Sequence, residues 1–355
     1  MKIAVIATHA HPLPSPAHTG DSQVILDLTR SLYELGHDVM LLAPTGTKAH
    51  EGVQVLETPL IPGDGTDWET RAGEQHFDAL AGCDVLHDWT IKKTIAKQCA
   101  KDEVPYVATL LGGTAYEPMP NTVVWSHAMR DRVMRGATDY ENTATPDNGG
   151  PVCQPFKDVR VVYGGVDTEF YSPGRRGWPR HMLWLNRWHP VKGYMQAIEL
   201  AKKWGFRLVM AGEHPDNDHP YQAKCAREAL QLAQGRTNIT FEWLPAGQDH
   251  HTVKRDLYRR ADGLIYPVQF QEPFGLSMVE AMACGAVVLG EMRGSVSEVT
   301  GGRNTLDAET VNYWLYEIYT NHSFRLRAVE LFDRFVMARN YIAAYRDVID
   351  GKGWG

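Results

Sequence analysis

No stretch of 18 or more apolar residues occurs in this 355-residue chain, so the sequence predicts no transmembrane helix. Its first residues, "MKIAVIATHAHPLP", offer one Lys and a short apolar run. They lack the longer apolar core and the small-residue cleavage site of a secretory signal. They read as a first buried strand, and the expected location is the cytoplasm. Cysteine is sparse. The five residues Cys83, Cys99, Cys153, Cys225 and Cys284 are odd in number and scattered, with no CxxC spacing. Scattered thiols of this kind fit a reduced, cytosolic protein better than a disulfide framework or a zinc site. Internal repeats and low-complexity tracts are absent. Positive charge is scarce in the first half: residues 1–170 carry 13 Lys and Arg against 23 Asp and Glu. Such a surface is a poor partner for nucleic acid or anionic lipid, whose binding depends on cationic contacts to phosphate.

What is present is ample apolar material, 43 % of residues, enough for packed cores. At roughly 100–200 residues per domain the length implies two domains. Residues 171–355 carry 23 Lys and Arg against 20 Asp and Glu, so the second half is the better host for an anion. Short β-rich runs alternate with helical patterns. "KIAVIAT" (2–8), "HDVMLLAP" (37–44), "CDVLHDW" (83–89), "YVATLLGG" (106–113), "TVVWS" (122–126) and "VRVVYGG" (159–165) read as strands. "DSQVILDLTRSLYELG" (21–36) has helical spacing, with Gly36 placed to end it. The series then restarts with "HMLWLNR" (181–187), "FRLVMAG" (206–212), "ITFEWL" (239–244), "GLIYPV" (263–268) and "AVVLGE" (286–291). Alternation of this kind predicts parallel sheets with helices on both faces. The Pro-, Gly- and Arg-rich "EFYSPGRRGWPR" (169–180) reads as a linker. The expectation is an α/β protein of two doubly wound domains: 1–170, 171–322, and terminal helices 323–355 that return to the first domain. The loops at 61–73 and 139–157 exceed the usual length of βα connections, a common mark of function.

The most informative stretch is "QEPFGLSMVEAMACG" (271–285). Pro273 and Gly275 make a turn after a strand, "LSMVEAMAC" reads as a helix, and Gly285 ends it. The N–H groups of Gly275, Leu276 and Ser277 then lie at a helix N-terminus, where free donors and the helix dipole suit a phosphate. Glu280 falls about five residues into the helix, roughly 7–8 Å from its start, the span from a diphosphate to its ribose. Glu272 lies on the other side of the turn, where a sugar would sit. Upstream, in "LNRWHPVKGYMQAIELAKKWG" (185–205), Arg187 ends a strand and Lys192 precedes Gly193 at a helix start. Ligands of open α/β sheets bind outside the carboxyl ends of the strands. Two cations there neutralise a diphosphate and stabilise charge on a leaving group.

Together these elements resemble glycosyltransferase family 4, the retaining, nucleotide-sugar-dependent enzymes of the GT-B fold. The E-x7-E element with its Pro-Phe-Gly turn and the R-x4-K-G element carry the likeness most strongly. "YGGVDTEFYSP" (163–173), "LYRRADGLIYPVQFQEPFG" (257–275), "ELGHDVMLLAP" (34–44) and "RGSVSEV" (293–299) are similar to further segments of that family, in order and spacing. The resemblance implies two Rossmann-like domains facing each other across a cleft, with a C-terminal crossover helix. It implies that Arg187 and Lys192 bind the donor diphosphate, Glu280 the ribose, and Glu272 with the backbone of Phe274, Gly275 and Leu276 the sugar and phosphate. Trp243 and Leu244 would line the base pocket. Asn186 stands where the family usually has Gly, Gly164 stands where it has Asn, and the loop "PSPAHTGDSQ" (14–23) has the single glycine Gly20 where two adjacent glycines usually approach the phosphates.

On the acceptor side the candidates are His9, His87 and Gly112. His87 matches a family histidine, and structural and acceptor-contact roles are both open for it. His9, His11 and His18 match no zinc spacing, and no metal or other cofactor is expected. The expected reaction moves a sugar from a UDP- or GDP-sugar to a hydroxyl of a glycan, small molecule or protein, with retention. A non-catalytic sugar-nucleotide-binding protein, or a phosphorylase or epimerase on the same fold, is the alternative.

Overall fold

The computed structural model describes residues 1–8, 11–14, 20–61, 63, 67–112, 117–137, 154–176, 179–216, 219–245, 250–302, 306 and 323–355. The chain divides into two compact units. Among the described residues the first holds Met1–Ala137, residues 154–166 and Phe332–Gly355, and the second holds Asp167–Leu331.

The first unit is built on β1 (Lys2–Ile6), β2 (Asp38–Pro44), β3 (Gln54–Thr58), β4 (Val85–Asp88), β5 (Tyr106–Thr109), β6 (Thr122–Val124) and β7 (Arg160–Val161). They form one sheet in the order β3-β2-β1-β4-β5-β6-β7, and every pairing is parallel. Strands such as Lys2–Ile6 and Val85–Asp88 are buried almost throughout. Continuous rather than alternating burial is what a parallel sheet covered on both faces requires. On one face Ile6, Leu42 and Leu86 pack with Trp68 and Ala72 of α2 (Asp67–Ala81) and Ile95 of α3 (Thr94–Lys101). β3 escapes the sequence reading because it lies at the sheet edge and only Thr58 of it is fully buried. Gly36, at φ 84°, follows α1 (Gly20–Glu34), and its N–H donates to Tyr33 O at 2.8 Å. That is the left-handed close expected there. The last long helix (Arg334–Ile349) also belongs to this unit. The buried guanidinium of Arg334 bonds Ser31 Oγ at 2.9 Å and Glu34 Oε2 at 2.6 Å on α1.

The second unit carries β8 (Met182–Leu185), β9 (Leu208–Glu213), β10 (Ile239–Leu244), β11 (Gly263–Tyr266) and β12 (Val287–Gly290). Their order is β10-β9-β8-β11-β12, again parallel throughout. Its helices include α4 (Tyr194–Trp204), α5 (Pro220–Leu232), α6 (His250–Arg260), α7 (Leu276–Ala283) and all but the last residue of α8 (Ser323–Phe332). The strand order reverses between β8 and β11. That reversal opens a crevice at the carboxyl edge of a doubly wound sheet.

The segment expected to be a linker is packed in part: Pro173, Gly174 and Arg175 are exposed, but its neighbours are held. Tyr171 is 2 % exposed. Arg176 Nη1 donates to the carbonyl of Ala261 at 2.6 Å, and Nη2 bonds that of Gly285. Arg325 Nη1 donates to the carbonyls of Thr168, Tyr171 and Ala283 at 2.8–2.9 Å. Arginines near a chain junction read as solvated in a sequence. Here they satisfy carbonyls that close contact would otherwise strand. Among the described residues no helix is long and apolar enough to cross a membrane.

Candidate functional site

β8 and β11 are neighbours at the strand-order reversal, and each leads into a segment that carries candidate site residues. Past β8 the chain runs Asn186, Arg187, Trp188, then a 3-10 turn Pro190–Lys192. His189 caps this turn, its Nδ1 accepting from Val191 N at 3.2 Å. Trp184 Nε1 donates to Lys192 O at 3.0 Å and anchors the end of the turn to the sheet. Gly193 joins turn and helix at φ 74°. A Cβ at that position would overlap the Pro267 carbonyl of the facing segment. Only glycine allows both the positive φ and this approach.

Arg187 is exposed and makes no hydrogen bond or ion pair among the described residues. Lys192 is turned inward with 15 % of its side chain exposed. Its Nζ lies 3.3 Å from Glu272 Oε2 and 4.3 Å from the Phe270 ring centroid. The field of these two cations is felt by His189, whose imidazole is held below its usual range by burial first, then by Arg187 and Lys192. Disfavouring a further positive charge is the electrostatic complement of attracting an anion. Beside Arg187, the Asn186 amide nitrogen is buried with no hydrogen-bond partner among the described residues, an unusual condition for a native polar group.

Past β11 the chain supplies Glu272 and α7. Glu272 is 6 % exposed. Its Oε2 accepts from Tyr266 Oη at 2.6 Å as well as from Lys192. Burial and the neighbouring carboxylate push the Tyr266 phenol well above its usual range, so it stays protonated and donates. Glu272 Oε1 accepts no hydrogen bond among the described residues. The Glu272 backbone is fixed by Ser295 N, which donates to its carbonyl at 2.9 Å. Phe274, 1 % exposed, anchors the Pro-Phe-Gly turn, and its carbonyl accepts from Ser295 Oγ at 2.9 Å. Burying a side chain of that size stabilises the turn by about 2–3 kcal/mol. Gly275, at φ 86°, is the N-cap of α7 and gives no side-chain cap. The first-turn N–H groups of Leu276 and Ser277 therefore lack a capping side chain, the arrangement that an anion completes.

Glu280 differs. It is 5 % exposed, and both its oxygens are engaged within the unit. Lys254 Nζ of α6 lies 2.8 Å from each oxygen. Tyr171 Oη donates to Oε1 at 3.3 Å and Tyr258 Oη to Oε2 at 3.1 Å. No sequence motif marks these partners. Lys254 and Tyr258 are four apart on one helix, however, and that spacing places both on one face. Trp243 and Leu244, at the end of β10, are half-buried. Trp243 is reached from the Arg187 segment through Trp188, with ring centroids 5.9 Å apart, and packs on His214 at 5.4 Å.

The structure thus brings Lys192, Glu272, Phe274, Gly275, Leu276 and Ser277 to one strand-end region, with Arg187 on the adjoining segment. The acceptor-side candidates belong to the first unit, where the outcome is different. His87 is fully buried. Its Nδ1 bonds Tyr345 Oη and its Nε2 bonds Thr109 Oγ1, both at 2.7 Å, and Tyr341 packs on its ring at 4.6 Å. Burial, with Lys93 nearby, holds its imidazole well below the usual range. Both nitrogens are occupied and no surface is accessible in this unit, the contacts of a packed side chain. Gly20 is exposed at the start of α1, and Gly112 is half-buried at φ 99°. His9 and His18 lie outside the described residues.

Residues 167–305 match the family model described as Glycosyl transferases group 1. The alpha-maltose-1-phosphate synthase of Mycolicibacterium smegmatis is 26 % identical over 275 residues, covering 68 % of this chain and 64 % of that protein. The match thus spans a little under two thirds of that relative's length. Among solved structures, AviGT4, a glycosyltransferase involved in avilamycin A biosynthesis, aligns over 100 % of both chains with a TM-score of 0.72 and 20 % identity. Anabaena HepE in complex with UDP aligns over 98 % of this chain and 100 % of that one, with a TM-score of 0.67 and 14 % identity. The fold is that of GT-B glycosyltransferases.

Proposed function

We propose that this chain, whose second unit is a glycosyl transferases group 1 domain, is a retaining glycosyltransferase that moves a hexose from a nucleoside-diphosphate sugar to an acceptor hydroxyl. The donor sits at the carboxyl ends of β8 and β11. Its diphosphate lies against Arg187, Lys192 and the uncapped first turn of α7. Its sugar hydroxyls donate to the open oxygen of Glu272, and its ribose approaches Glu280. Trp243 and Leu244 bound the base. One observation carries this reading: an inward lysine meets a buried carboxylate with one unused oxygen beside an uncapped helix N-terminus, and a free arginine lies on the lysine's own segment. No single interaction within the protein requires that combination. A diphosphate sugar, anionic at one end and rich in hydroxyl donors at the other, complements it.

Chemistry follows from the same groups. As the sugar–phosphate bond breaks, negative charge grows on the departing diphosphate. Arg187, Lys192 and the α7 N–H groups stabilise that charge, and preorganised donors of this kind give a large share of enzymatic rate enhancement. The acceptor hydroxyl attacks on the face the diphosphate leaves. A departing phosphate oxygen takes the hydroxyl proton, so the stereochemistry is retained without a protein base. The cations supply the charge stabilisation, and the reading assigns no step to a metal. The donor is a UDP- or GDP-sugar, UDP being what HepE holds, and the acceptor is a glycan, small molecule or protein. The cytoplasm, where such donors are made, is the proposed location.

The test is turnover. The purified protein is incubated with UDP-, GDP- and ADP-hexoses and a panel of hydroxyl acceptors, and nucleotide release is measured with the anomeric configuration of the product. Release of one nucleotide coupled to a product of unchanged anomeric configuration is expected. Inverted product contradicts retention, and tight nucleotide binding without turnover of any donor contradicts catalysis.

A further inference from the structure

The carboxylate of Glu280 has no room for another donor. A carboxylate offers about four lone-pair sites. Here each oxygen already faces Lys254 and one phenol, Tyr171 on Oε1 and Tyr258 on Oε2. This inference rests on the donor reading above, in which a ribose approaches Glu280. A ribose binds there only if one of the three present donors leaves.

The three are not equally held. Tyr258 is fully buried, and its phenol is kept protonated by burial and by the carboxylate itself. Tyr171 is 2 % exposed. Its hydroxyl also bonds His251 Nδ1 at 3.2 Å. Its backbone is pinned by Arg325, which bonds the Tyr171 carbonyl at 2.9 Å, and by Arg259 Nε, which donates to the next carbonyl, Ser172 O, at 2.8 Å. Neither phenol moves without disturbing packed backbone. Lys254 projects from α6 on a flexible four-carbon stem, its side chain 18 % exposed. The Glu280 carboxylate is its one hydrogen-bond acceptor among the described residues. An ammonium is strongly hydrated and easily returned to water.

We propose that Lys254 is a specificity-determining residue of the donor site: its ammonium occupies the Glu280 carboxylate in the free protein and is displaced when the ribose hydroxyls bind. The two phenols stay and orient the carboxylate. Lys254 therefore acts as an internal competitor. It lowers affinity for every nucleotide that uses Glu280, and it reduces the advantage of a ribose over a 2′-deoxyribose, because the gain from the extra hydroxyl is offset by loss of the ion pair.

The test is calorimetric titration of the full-length protein with UDP, GDP and ADP, then with the 2′-deoxy form of whichever binds. Lys254→Met removes the ammonium, and Lys254→Gln keeps a hydrogen-bond donor without the charge should the first variant fold poorly. The expected result is tighter binding of the ribonucleotide by about fivefold in Lys254→Met, the worth of one hydrogen-bonding site returned to the ligand. The ratio of ribo- to 2′-deoxy-affinity is expected to rise by a similar factor, and Lys254→Gln to fall between. Weaker binding in both variants would mean that Lys254 holds the nucleotide itself, and would overturn the proposal. So would an unchanged ratio with only a lower melting temperature, the mark of a purely structural pair. If the wild type binds none of the three nucleotides, the donor reading fails and takes this inference with it. If it binds one and the Lys254 variants match it, only the inference fails.

Discussion

The Lys192 ammonium and the Glu272 carboxylate meet at 3.3 Å between Nζ and Oε2, and the Tyr266 phenol holds that same oxygen at 2.6 Å. The carboxylate is thus oriented from one side, leaving Oε1 for a ligand. Lys192→Ala keeps Tyr266 in place and so keeps the carboxylate oriented, but removes a charge from the proposed diphosphate site. Sugar transfer, measured as kcat/KM for the donor, is expected to fall at least about tenfold, or about 1.4 kcal/mol. Lys192→Arg is expected to recover part of the loss.

Gly193 sits at φ 74° with the Pro267 carbonyl where its Cβ would lie. Gly193→Ala is expected to cost about 1–2 kcal/mol of stability from the left-handed backbone alone, and more from the overlap. Chemical denaturation reads the stability. Because the shift falls on the turn that carries Lys192, donor affinity is expected to drop as well. Gly205, also at positive φ but with open space around it, is the control: its alanine variant is expected to lose stability and keep donor affinity.

His87 predicts a pH dependence. Its folded pKa lies well below the ordinary value, so the unfolded chain takes up a proton first as pH falls. The native state then binds fewer protons than the unfolded state, and stability declines as pH drops below about 6.5. The half-buried His37 and His189 are shifted the same way. Melting temperatures between pH 8 and pH 5 are expected to fall in the wild type, and less steeply in His87→Gln, whose side chain does not titrate. Equal slopes in the two proteins would contradict the burial of a neutral imidazole.

Arg325 ties the junction segment to the second unit through three carbonyls. Arg325→Met keeps most of the apolar stem and removes the donors. A loss of about 2–3 kcal/mol is expected as buried acceptors lose their partner, read as a lower denaturation midpoint.

Much of this was legible in the chain itself. The strand ends that place Arg187 and Glu272 show as short apolar runs, because strands covered on both faces have little room for polar residues. The Gly275 turn, the α7 helix and its close at Gly285 show as punctuation. Three features did not show. Tyr171 and Arg176 lie in a stretch whose Pro, Gly and Arg content reads as a linker, yet they are packed, since composition does not reveal which carbonyls an arginine will find. His87 matched a functional pattern but is enclosed by Tyr341 and Tyr345, more than 250 residues away in the chain. The saturation of Glu280 depends on Lys254, Tyr258 and Tyr171, which come from two different segments and converge only in three dimensions. Local pattern reports secondary structure and turns. It does not report which side chains the fold will bring to a given carboxylate.

The central claim is that cations at the end of β8 hold a nucleotide's diphosphate. Calorimetric titration of the wild type and of the Arg187→Ala, Lys192→Ala double variant with UDP, GDP and ADP addresses it directly. Binding of at least one nucleotide by the wild type, weakened about a hundredfold or more in the double variant (about 2.7 kcal/mol), is the expected result. Equal affinity in the two proteins would place the diphosphate elsewhere and contradict the account.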